Sequence, residues 1–255
     1  MAMVVAGCGT LPDGRIWGEE ANWCPGSARL KSAAVVAATD PWVWAPLAGA
    51  ALFQIDDWDR RVSDWALRHT PVFGSAADAA EWSDDLRDAS VFAHWATMVA
   101  TPGGSDPQRW VLAKAHGALV DAAAVAATVG VTRGIKTSVE RRRPNGIDSE
   151  SFPSGHTSSS AVHTRLASRN LRWIAMDPPL RRALDVGLTV LTAGTSWARI
   201  EAGVHFPSDT LFSTALGNFI ASFVNDAFLG TDPAGVTLGL QSLPEGALLV
   251  WRVGL

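Results

Sequence analysis

The sequence predicts an all-α fold: a single-domain helical bundle with an extended N-terminal segment and a small C-terminal β-hairpin. Three observations predict it. From about Pro41 to Asn225 the apolar residues recur at helical spacing. The breaks in that pattern fall at turn-forming clusters such as Thr101-Pro102-Gly103-Gly104 and Asp177-Pro178-Pro179. No strand-like alternation occurs within the span. A chain of 255 residues, 47% hydrophobic and 18% charged, is also long and apolar enough to bury a substantial core.

Residues 1–33 are rich in Gly and Pro and show no clear period, so they read as an extended segment. A helical domain follows over 34–230, with helices expected at roughly 43–55, 58–69, 76–99, 107–135, 155–171, 179–198 and 207–228. Residues 231–255 form a tail, in which two apolar runs flank Leu243-Pro244-Glu245-Gly246 as a hairpin would require. Twelve tryptophans and no tyrosine are present, most before position 111, including Trp42, Trp44, Trp58 and Trp65. Core packing is the simpler reading of these rings, and a lipid-touching patch is the alternative.

A net charge of −4 with no basic stripe argues against nucleic acid as a partner. The two cysteines, Cys8 and Cys24, form no Cys-x-x-Cys pair, which removes support for redox or zinc chemistry; two thiols or one disulfide both remain open. Val5-Ala6-Gly7-Cys8 resembles a bacterial lipobox. Acylation at Cys8 would anchor the chain at a membrane surface, in the bacterial periplasm. The run free of Asp, Glu, Lys and Arg between Asp209 and Asp226 falls below the roughly 20 residues that a span requires. The expectation is therefore a chain that does not span the membrane.

Three segments carry chemistry. In the first, Lys136 and Arg143 are seven residues apart, about two helical turns, so both would project from one helix face, and Pro144 would bend the chain at Arg143. An ammonium and a guanidinium both suit phosphate oxygens. The adjoining run Arg141-Arg142-Arg143, taken alone, reads as a solvated face. In the second, Pro153-Ser154-Gly155-His156 opens a helix of small residues. Free N–H groups at a helix start, around Ser154 and Gly155, make an anion site, and His156 can donate a proton there. In the third, Arg199 precedes His205 and Asp209, with Pro207 suited to a first helical turn. Asp209 could accept a hydrogen bond from one ring nitrogen of His205, leaving the other free as a nucleophile. A metal at His205 and Asp209 lacks a third ligand at workable spacing, so none is expected.

Together these segments resemble the type-2 phosphatidic-acid phosphatase superfamily, which shares its site with class A bacterial acid phosphatases and vanadium haloperoxidases. The matches are Lys136, Arg143 and Pro144; Pro153 through His156; and Arg199, His205 and Asp209, in the family's order over about residues 130–225. Ala198 stands where the family has serine. The resemblance implies a helical bundle of that kind and a metal-independent phosphatase working through a phosphohistidine. His205 would attack phosphorus, Asp209 orient it and His156 protonate the leaving oxygen. Lys136, Arg143, Arg199 and the Ser154–Gly155 backbone would hold the phosphate. The expected substrate is a phosphomonoester or diphosphate of a lipid, or a small phosphoester. No cofactor is expected, with vanadate an inhibitor. Two alternatives use the same pocket: a haloperoxidase with vanadate as cofactor, and a non-catalytic binder of phosphorylated lipid. His163, seven residues after His156, reads as a packed or surface histidine.

Overall fold

The computed structural model describes residues 10, 14–230, 237–243 and 246–252. Eight α-helices are found among them: α1 (Ser27–Thr39), α2 (Pro41–Leu52), α3 (Trp58–His69), α4 (Ala76–Ala100), α5 (Pro107–Val139), α6 (Gly155–Leu171), α7 (Pro178–Glu201) and α8 (Pro207–Val224). Their starts follow from local chemistry. Proline occupies the first position of α2, α5, α7 and α8, where its missing N–H costs nothing. Asp40, Ser75, Asp106 and Ser154 cap α2, α4, α5 and α6 through their side-chain oxygens. Thr237–Leu243 and Gly246–Arg252 pair antiparallel, with Leu243 opposite Gly246.

α6 is the axis of the bundle, packed by α4, α5, α7 and α8, and it is buried on nearly every side. Its approach to α8 depends on Gly217, where a Cβ would lie 2.7 Å from the Ser158 carbonyl oxygen and 2.8 Å from the Val162 nitrogen. Trp17, Val120, Val162, Leu166, Ile220 and Val224 form the main core. The stretch before α1 is thus not merely extended. Trp17 is fully buried, its amide donates to the Pro102 carbonyl at 2.8 Å, and its ring fills the place of a Cβ at Gly117. α1 itself begins at Ser27, inside the segment expected to lack a helix; its cap, Gly26, has no side chain to mark the start.

The expectation of a chain with no spanning helix is corrected by α5. This helix has 33 residues and is long and apolar enough to cross a membrane, and only 28% of its most apolar 18-residue window is buried. A core helix of the same composition would be mostly covered. The charge-free criterion missed it because Asp121 interrupts the run. Asp121 is fully buried and hydrogen-bonded inside the fold: His94 Nε2 lies 2.9 Å from its Oδ2, and Asn225 Nδ2 donates to its Oδ1 at 3.2 Å. Leu112, Leu119, Val129 and Val131 leave their apolar surfaces uncovered along the same helix. Core packing also fails for six tryptophans. Trp23, Trp42, Trp44, Trp58, Trp65 and Trp82 are all exposed. Among the described residues Cys24 is exposed and unpaired, while the lipobox stretch and Cys8 lie outside them.

Candidate active site

The site forms where the loop between α5 and α6 meets the loop between α7 and α8. Asn145 N donates to the Gly203 carbonyl at 2.9 Å, joining the two loops. Lys136 sits in the last turn of α5, which closes at Glu140 in a left-handed conformation (φ 49°). Arg143 therefore does not share a helix face with Lys136. It lies in the loop, where its amide donates to the Asp148 carbonyl at 2.9 Å and its Nε meets Asp148 Oδ1 at 2.7 Å. The two cations still converge, because Lys136 Nζ donates to the Glu150 carbonyl, and Glu150 Oε2 stands 3.9 Å from both Lys136 Nζ and Arg143 Nη2. An exposed carboxylate thus rests between two groups suited to an anion.

His205 is buried just ahead of α8. Its Nδ1 lies 2.5 Å from the Ser151 carbonyl oxygen. A carbonyl can only accept, so Nδ1 carries the proton and the lone pair falls on Nε2. Asp209 is not the acceptor that the spacing suggested: its Oδ2 stands 3.9 Å from Nδ1. The reason is that Asp209 is already engaged. It accepts from the Phe206 amide (2.8 Å) as the cap of α8, from Ser151 Oγ (2.5 Å), and from Arg141 Nη1 (2.5 Å). Burial raises its pKa to about 6, while Arg141 and these hydrogen bonds work to lower it. For His205, burial and then the charges of Arg199, Lys136 and Arg143 hold the pKa well below its ordinary value. The imidazole is therefore neutral in the presence of three cations.

Arg199 is buried near the end of α7, and its Nη1 donates to Ser83 Oγ at 3.2 Å. Burial, then Arg143, lowers its pKa to about 10, so it stays charged at neutral pH. His156, in the first turn of α6, faces α4: its Nε2 is 2.8 Å from Asp84 Oδ1 and 3.1 Å from Arg87 Nη1. Burial first and Arg199 second push its pKa down, and Asp84 opposes them. Ser154 is taken up structurally. Its amide donates to Ser213 Oγ at 2.7 Å and its Oγ caps the Thr157 amide, which leaves the backbone at Gly155, where a Cβ would meet nothing within 4 Å, as the open approach.

Sequence reasoning missed Ser83, Asp84, Arg87 and Arg141. The first three belong to no motif, and their only signal is the i, i+3 pairing of Asp84 with Arg87. Arg141 is no solvated charge, because it ties Asp59 of α3 (2.8 Å) and Ser208 (2.9 Å) to Asp209 and lies 4.1 Å over the Phe206 ring. His163 is buried against His94, with 2.9 Å between the two Nδ1 atoms. Among the described residues no group of three or more His, Cys, Asp or Glu is arranged to hold a metal ion. A cavity of about 440 Å³ lies along α7 from Asp185 to Ile200 and along α8 from Pro207 to Asn218, with Trp42, Phe53 and Leu211 among its apolar walls, and none of Lys136, Arg143, His156, Arg199 or His205 lines it.

Residues 117–229 match the model of the PAP2 superfamily, so the resemblance read from the three segments stands, and it covers all of them. No curated protein matches the chain. The crystal structure titled as the first transmembrane PAP2-type phosphatidylglycerolphosphate phosphatase from Bacillus subtilis superposes with a TM-score of 0.53. It covers 72% of this chain and 92% of that one, at 18% identity, and so supports a common helical fold.

Proposed function

We propose that this chain, with its PAP2-superfamily segment, is a phosphatase that removes phosphate from a lipid through a phosphohistidine on His205. One observation carries the reading. The His205 Nδ1–H is held by the Ser151 carbonyl, which leaves a neutral imidazole whose Nε2 lone pair is available among Lys136, Arg143 and Arg199.

The Nε2 lone pair attacks phosphorus while the bond to the leaving oxygen breaks, and its electron pair goes to that oxygen. His156 supplies the proton. A water then gives a proton to His156 and its oxygen to phosphorus, and the P–N electron pair returns to His205. The three cations neutralise the phosphoryl oxygens throughout, which is most of what phosphoryl transfer demands of a protein. Ser151 holds the Nδ1 proton as positive charge develops on the ring, the role first expected of Asp209.

A membrane setting supports a lipid substrate. The uncovered apolar length of α5 would sit in hydrocarbon, and the Bacillus subtilis phosphatase is described as transmembrane. The test is hydrolysis of a panel of phosphorylated lipids and soluble esters, with acid-labile, base-stable ³²P label on the protein. Label retained in His205→Ala would end the reading.

A further inference from the structure

Helix α4 contributes to the site through residues that none of the three motifs contains. Ser83 meets Arg199, and Asp84 and Arg87 both meet Nε2 of His156. We propose that Asp84 is a positioning residue for His156: its carboxylate keeps the proton on Nε2 and aims the ring, and Arg87 limits how tightly that proton is held. The inference rests on the phosphatase reading above, in which His156 is the proton donor.

The geometry is specific. Asp84 Oδ1 is 2.8 Å from His156 Nε2, and the same oxygen is 3.1 Å from Arg87 Nη1. Arg87 Nη1 is itself 3.1 Å from Nε2, and its Nε and Nη2 bond Asp88. A guanidinium has no acceptor, so Arg87 cannot stabilise an N–H on Nε2; it favours the ring without that proton. The carboxylate favours the ring with it. The charged groups that face His156 are therefore Asp84 and Arg87 from α4 and Arg199 from α7, with burial added. Of these, only Asp84 favours the protonated acid. Without it, a half-buried imidazole beside two arginines would be a poor proton donor at neutral pH.

Asp84 is also in a position to yield. Its side chain is about half exposed, whereas its partner His156 is largely covered. An arriving leaving-group oxygen can take over the Nε2–H without drawing a buried charge into solvent, and the carboxylate can turn to water. Two substitutions then move activity in opposite directions. Asp84→Asn is expected to shift the alkaline limb of kcat/KM to lower pH by about one unit, and Arg87→Gln to higher pH, the usual size for one neighbouring charge. An alkyl phosphate needs its leaving oxygen protonated, and an aryl ester such as p-nitrophenyl phosphate hardly does. Asp84→Asn should therefore cost roughly tenfold or more on the alkyl ester and little on the aryl ester. Asp84→Glu should recover most of the loss.

A purely structural role would lower both esters alike and leave the limb in place, and that result overturns the inference. So would shifts of the same sign in the two variants. His205→Ala is measured alongside. Full activity there removes the phosphohistidine reading itself, whereas an inactive His205→Ala with an unmoved Asp84→Asn limb removes only the role of Asp84.

Discussion

His205 donates its Nδ1–H to the carbonyl of Ser151 in a hydrogen bond, and Asp209, four residues along the chain, stands 3.9 Å from that nitrogen. A backbone acceptor does not titrate, so the tautomer of His205 is fixed whatever the charge on Asp209. Asp209→Asn should accordingly retain more activity than His205→Ala, which is expected to lose about 1,000-fold or more in kcat. The loss in Asp209→Asn should appear as stability, on the order of 2 kcal/mol in denaturant unfolding, because a buried partner of Arg141 is removed. Equal kinetic losses in the two variants would return the orienting role to Asp209.

The pH profile follows from two displaced histidines. His205 is held well below its ordinary value by burial and three cations, so it remains neutral well into acid, as the proposed nucleophile must. His156 is also lowered, by burial and Arg199, and it must be protonated to act. Activity is therefore expected to fall as pH rises through a limb below 6.5, giving an acid optimum in kcat/KM. A limb above pH 7.5 would mean that His156 is not the acid.

On the proposed reading, Glu150 is expected to compete with substrate. Its carboxylate lies between Lys136 and Arg143, 3.9 Å from each, where phosphate oxygens would sit. Glu150→Gln should lower KM a few-fold at low ionic strength and leave kcat unchanged, since an exposed carboxylate interacts with such cations only weakly. A raised KM would show that Glu150 assists binding.

Gly217 sets the distance between α6 and α8. Gly217→Ala would place a methyl 2.7 Å from a backbone oxygen that cannot rotate away, so it should cost roughly 1–3 kcal/mol and lower Tm. An unchanged Tm would mean that the two helices part easily.

For α5 the check is extraction. A helix with this length and this little cover should keep the protein in the membrane fraction after an alkaline wash. Recovery in the supernatant would show that the apolar face is covered by another means.

The helices α2 and α4 to α8 were legible because each starts at a proline or a capping side chain, and α3 because its faces contrast in polarity. α1 was not, because its cap is Gly26, which has no side chain to mark the start. The spanning potential of α5 was hidden by one aspartate, whose hydrogen-bond partners, His94 and Asn225, come from 27 and 104 residues away. The same limit applies at the site. Lys136, Arg143, His156, Arg199 and His205 announced themselves by spacing within short segments. Asp84 and Ser83 did not, because their link to His156 and Arg199 exists only once α4 packs on α6 and α7.

The three consecutive arginines after α5 divide their tasks by direction: Arg141 turns inward to Asp59 and Asp209, Arg142 outward to solvent, and Arg143 back toward Lys136. Deleting any one residue between Glu140 and Pro144 would leave two of the three arginines yet shift their register, so that the strut bracing the helices and the group facing Lys136 would trade places. Evolution could silence such a site through a slip in register alone, with every motif residue still present in the sequence.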